Sequence, residues 1–132
     1  MDREDREWRD PRISGDWLTR RVVACAFRVS NGLGAGFLEK VYENALVHEL
    51  RKARLRVAQQ HPVRVVYDGV VVGEYVMDLV VEQAVVVEVK AAKAIDPVHE
   101  AQLLNYLRAA GLHLGLLLNF GTPRLGVRRL IL

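Results

Sequence analysis

The sequence has one cysteine, Cys25, in 132 residues, and that scarcity removes whole classes of protein. No intramolecular disulfide can form, which excludes the stapled scaffolds of small secreted domains and any zinc site built on several thiolates. Apolar runs are short as well: the longest, residues 22–27 and 112–118, fall well below the ~20 residues that span a bilayer. The opening MDREDREWRD is charged where a secretory leader needs an apolar core. A soluble protein of the reducing cytoplasm, with no membrane partner, is the expectation. His48, His61 and His113 share no ligand spacing, no segment repeats, and Gly34-Ala35-Gly36 lacks the Lys-Ser/Thr pair of a phosphate-binding loop.

Charge of one sign is not in great excess either: 19 Lys and Arg face 16 Asp and Glu, a balance of +3. Residues 1–16 hold six acids against four arginines, so the remaining 116 residues carry +5. Such mild basicity suits a polyanionic partner without proving one. Residues 1–15 read as a flexible charged tail, since alternating acid and arginine offers almost nothing to bury. Residues 16–132 have the length of a single globular domain.

Within that domain the apolar pattern changes period in a definite order. Trp17, Leu18, Val22, Val23, Ala26 and Phe27 recur at three- and four-residue steps, predicting an amphipathic helix over 17–29 that stops at Asn31-Gly32. A second helix is expected over 37–53, with Leu38, Val41, Tyr42, Ala45, Leu46, Glu49 and Leu50 on one side and Lys40 and Glu43 among the residues on the other. The period then becomes two. Strands are expected over 57–67, 70–81 and 84–90, the first pair joined by the hairpin turn Asp68-Gly69 and the second by a break at Glu82-Gln83, which together make an antiparallel meander. Pro97 can open a helix over 98–110 that Gly111 stops. Residues 112–120 read as a buried strand and 127–132 as an edge strand. The order α-α-β-β-β-α-β-β is that of an α/β domain with a mixed sheet between helices.

Charges interrupt this apolar pattern in two places. In the strand Val85-Val86-Val87-Glu88-Val89-Lys90, Glu88 and Lys90 share a face with Val86, because side chains alternate. Such charges must pair, hold an ion or sit at an open edge, since burying them alone costs several kcal/mol. Taken alone, the tripeptide also reads as a surface ion pair. Asp78, however, is a second acid in an apolar strand, and the break near Glu82-Gln83 brings it alongside Glu88. Two carboxylates and a lysine on neighbouring strands suit a hard divalent cation, Mg²⁺ or Mn²⁺, that keeps several waters. Glu39 alone reads as a solvated helix acid, Tyr42 and Tyr106 as core aromatics with a polar tip, Gln102 as an exposed helix residue, and His99 as solvent-facing. The run Arg51-Lys52-Ala53-Arg54-Leu55-Arg56 can track a phosphate backbone or simply face water.

Asp78, nine residues, then Glu88-Val89-Lys90 resembles the signature of the PD-(D/E)XK nuclease superfamily. Gly36-Phe37-Leu38-Glu39-Lys40-Val41-Tyr42 is similar to the element that names the bacterial GxxExxY proteins of that superfamily. Gln102 to Tyr106 resembles the Q-x-x-x-Y helix motif of RecB-like nucleases, and Asn119-Phe120-Gly121 the turn typical of GxxExxY proteins. The likeness covers residues 17–132 and departs at Met77, where the superfamily name has proline. It implies a restriction-endonuclease-like α-β-β-β-α-β core with one extra N-terminal helix and a C-terminal edge strand, and a Mg²⁺- or Mn²⁺-dependent nuclease acting on nucleic acid, DNA ahead of RNA. Asp78, Glu88 and Glu39 become the implied metal ligands, with the Val89 carbonyl a further one. Lys90 joins these three as the implied catalytic set, and Gln102, Tyr106 and Tyr42 are the implied substrate contacts. The alternative is a non-catalytic nucleic-acid-binding or protein-interaction module on the same fold. A homodimer or a protein partner is the expected assembly, through the edge strand.

Overall fold

The computed structural model describes residues 15–132; most of the segment read as a charged tail lies outside them. Eight elements follow in the expected order: α1 (Gly15–Leu33), α2 (Glu39–Lys52), β1 (Val57–Tyr67), β2 (Val70–Val81), β3 (Val85–Lys90), α3 (Pro97–Ala110), β4 (Leu114–Asn119) and β5 (Gly126–Ile131). The strands form one five-stranded sheet in chain order. β1, β2 and β3 are antiparallel neighbours, β4 runs parallel to β3 across the α3 crossover, and β5 returns antiparallel at the edge. The architecture is a mixed α/β sheet flanked by helices, consistent with the restriction-endonuclease-like fold.

Alternation on the central strands explains why two separate cores form on one sheet. Val85, Val87 and Val89 of β3 and Leu116 and Leu118 of β4 pack with Val22, Tyr42 and Leu46 from α1 and α2. Val86 and Leu117 face the other way, onto Leu103, Tyr106 and Leu107 of α3. Glu88 and Lys90 share the Val86 face, so they emerge on the α3 side.

Several boundaries differ from the expected ones, for local reasons. α1 passes through Asn31-Gly32 and ends only where Gly34, at φ 72, donates its N–H to the Ser30 carbonyl at 2.9 Å, a left-handed stop that glycine adopts without strain. α2 starts at Glu39, two residues late, because Leu38 is still extended. α2 is also rotated from the expected setting: Val41 is exposed and Glu43 is buried. α3 opens on Asp96, which accepts the Val98 N–H, while His99 Nδ1 accepts the Asp96 N–H at 3.2 Å; His99 therefore closes a capping box. No helix among the described residues is long and apolar enough to cross a membrane.

Candidate active site

β2 and β3 stay in register only as far as Leu79 and Val87. One residue further the strands part, and the two acids take over from the backbone ladder. The Asp78 N–H donates to Glu88 Oε2 at 3.0 Å, and the Val89 N–H donates to Asp78 Oδ2 at 2.8 Å. Each carboxylate thus satisfies a backbone donor that the parting strands would leave unpaired. The distortion extends to β1, where Gln60, paired with neither residue of the ladder opposite Asp78, sits at φ 53. A left-handed non-glycine residue in mid-strand is costly. Here it turns the Gln60 amide onto Glu43, with Nε2 to Oε1 at 3.0 Å.

Glu88 is 4% exposed. Burial first, and then the hydrogen bond and charge of Asp78, push its carboxyl up to about 9, so the neutral form is favoured at pH 7. Lys90, half-buried at the end of β3, acts on Glu88 in the opposite sense. Glu39 belongs to the same neighbourhood. Although exposed as a residue, its carboxyl is raised, by partial burial and then by Asp78 and Glu43, while Lys90 and His99 oppose the shift. The Tyr106 hydroxyl is likewise raised, by burial and then by Glu88, Asp78 and Tyr75. Glu39, Asp78, Glu88, Lys90 and Tyr106 are therefore electrostatic neighbours, drawn from α2, β2, β3 and α3.

The described residues contain no group of three or more His, Cys, Asp or Glu that could hold a metal ion; Asp78 and Glu88 are joined by their paired backbone hydrogen bonds, and Glu39 is an electrostatic neighbour of Asp78 and Lys90. Tyr42, expected to meet substrate, is fully buried. Its ring stacks on Phe120 at 4.9 Å, and its hydroxyl donates to the Gly34 carbonyl at 2.5 Å and accepts the Phe37 N–H at 3.1 Å. This residue acts on the loop that delivers Glu39, and Gly36, at φ 113, lets that loop turn.

Gln102 is exposed on α3 and lines, with Tyr106, a cleft of about 680 Å³ between α3 and the β1–β2 hairpin.

Two buried polar groups escaped the sequence reasoning. Glu43, read as solvated, accepts from Lys40 at 2.8 Å, Gln59 at 2.6 Å and Gln60. Burial raises its carboxyl, but those hydrogen bonds leave it below the usual carboxylate range. Asn119 pairs in register with Lys90. Its Oδ1 accepts the Ala92 and Gly121 N–H groups at 3.0 and 3.1 Å, and its Nδ2 donates to the Ala92 carbonyl at 3.0 Å. Asn119 so fixes the chain leaving Lys90, and the Asn-Phe-Gly turn was its only sequence signal.

A family model described as the PD-(D/E)XK nuclease superfamily matches residues 16–130. No curated protein and no solved structure matches the chain.

Proposed function

The chain belongs to the PD-(D/E)XK nuclease superfamily, and from that premise we propose that residues 16–132 form one metal-dependent nuclease domain of the GxxExxY branch, hydrolysing phosphodiester bonds in nucleic acid, DNA ahead of RNA. The observation that carries this reading is the Asp78–Glu88 pair where β2 and β3 separate, with Lys90 two residues on. A buried carboxyl raised to about 9 by burial and a second carboxyl stays mostly protonated at pH 7 unless a cation offsets its charge, and neighbouring carboxylates suit Mg²⁺ or Mn²⁺, which keeps waters in its shell. Asp78 and Glu88, with the Val89 carbonyl, would hold the ion, and when bound it supplies Lewis acidity at the scissile phosphate and a water of lowered pKa.

The remaining chemistry belongs to the chain's own side chains. Lys90 places a fixed positive charge beside the carboxylates, where charge develops on the phosphate oxygens. Glu39, its carboxyl raised, orients the attacking water and takes its proton. Gln102 and Tyr106 contact substrate from α3. Tyr42 is a positioning residue that acts through the Glu39 loop.

Cleavage of labelled DNA and RNA with Mg²⁺ or Mn²⁺ tests the assignment. Asp78→Ala and Lys90→Ala should each lower the rate by at least about 100-fold, with an unchanged fold by circular dichroism. Equal cleavage by wild type and variants would remove the site assignment.

A further inference from the structure

A cleft lies between α3 and the β1–β2 hairpin. One wall is the β1–β2 hairpin, with Arg64 and Tyr75; the other is α3, with Gln102, Asn105, Tyr106 and Arg108. Tyr106 lines the cleft and its hydroxyl feels Glu88 and Asp78, which makes it the residue shared by the cleft and the candidate site. The Tyr75 and Tyr106 rings lie 5.7 Å apart, tilted by 47°. Rings already in contact leave no slot between them, but Tyr75 is 49% exposed and presents a free aromatic face. The carboxamides of Gln102 and Asn105 stand on the opposite wall.

Charge in the cleft is positive and exchangeable. Among the described residues Arg64 pairs with Glu74 at 3.6 Å, both side chains about 70% exposed, and an exposed pair of that kind contributes little. Arg108 Nη1 donates to Asn105 Oδ1 at 3.0 Å, a neutral partner that leaves its charge uncompensated. Both guanidiniums can therefore turn to phosphate.

From this arrangement, and resting on the nuclease reading above, we infer that the cleft binds single-stranded nucleic acid, with one unstacked base on the exposed face of Tyr75 and the flanking phosphates on Arg64 and Arg108. Stacking on an aromatic side chain requires a base that is out of the duplex, and hydrogen bonds from carboxamides then read its freed edge. A cleft of about 680 Å³ lies within the range of roughly 300–1,000 Å³ that encloses one small ligand, which fits a nucleotide or two. The substrate class that follows is a single strand, a frayed end or a flap, threaded along the hairpin toward Asp78 and Glu88.

The test is equilibrium binding of fluorescent oligonucleotides to the full chain in chelator, where no cleavage occurs, using DNA and RNA single strands and duplexes of equal length. Single strands should bind at least about tenfold tighter than duplexes. Tyr75→Ala should weaken single-strand binding by about 5- to 150-fold, the span expected when one base loses its stacking partner, whereas Tyr75→Phe should restore it. Arg108→Ala should weaken binding and reduce the slope of log affinity against log salt by about one. Duplex binding equal to single-strand binding, or Tyr75→Ala equal to wild type, would overturn the inference. The two readings fail separately. Stacking-dependent binding without any metal-stimulated cleavage removes the nuclease and keeps the cleft; cleavage indifferent to strandedness and to Tyr75 does the reverse.

Discussion

Glu88 is raised to about 9 because burial and the Asp78 side chain both disfavour its charge, and the consequence for stability has a definite sign. The folded value lies above the usual one of 4.5, so between those limits the unfolded chain releases a proton that the folded chain keeps. Stability associated with Glu88 is intact below pH 4.5 and is lost as pH rises toward 9. Glu88→Gln keeps an acceptor for the Asp78 N–H and supplies an amide donor toward the Asp78 carboxylate without the charge. In chelator at pH 8 the variant should melt roughly 5–15 °C above wild type, from a few kcal/mol of removed penalty, and the difference should nearly vanish at pH 5. A gap of the same size at both pH values would show that packing, not ionisation, is responsible. Asp78, Glu88 and Lys90 were legible in the sequence because charge inside an apolar strand has no cheap explanation. Glu43 was not: its partners Gln59 and Gln60 lie 16 and 17 residues away, and only the left-handed backbone at Gln60 turns that amide toward it.

Glycines divide according to the element that holds them. A Cβ on Gly121, just beyond β4, would lie 2.3 Å from the Ala92 carbonyl oxygen and 2.4 Å from its nitrogen, and backbone at that range cannot yield. The close approach lets the Asn119 side chain bond Ala92 on both sides, so it also sets the exit of β3. Gly121→Ala should therefore lower stability by at least about 2 kcal/mol. In α1, Gly32 would meet nothing within 4 Å and lies inside the helix, so Gly32→Ala should raise stability by about 0.4–1 kcal/mol through the unfolded chain. Urea unfolding of the two variants checks the opposite signs; destabilisation by both would mean that the α1 terminus is under a constraint these contacts do not contain. The strand alternation, the Asp68-Gly69 turn, Pro97 and Gly111 were all readable, since each is a local preference. The rotation of α2 was not, because it depends on Gln59 and Gln60 of β1 reaching Glu43 across the fold.

Across the whole molecule, one sheet carries both apolar cores, and the Asp78–Glu88 opening sits where its second and third strands part. Ionisation at that opening therefore acts on the cooperative fold and not on a loop. The formal balance of +3 hides this, because a bulk charge counts a buried acid like a surface one. If a divalent ion binds the pair, it replaces the proton that Glu88 retains, so metal affinity must rise with pH and the alkaline loss of stability must shrink. At an ion concentration 100 times its dissociation constant the gain is about 2.7 kcal/mol. Melting curves with Mg²⁺ or Mn²⁺ should thus shift upward by more at pH 8 than at pH 6, and calorimetry in two buffers of different ionisation heat should detect protons released on binding. Asp78→Ala should abolish both effects while Tyr75→Ala leaves them in place. Melting curves unmoved by either ion at both pH values, or an Asp78→Ala response equal to wild type, would rule out a cation at this pair whatever the chain does with nucleic acid.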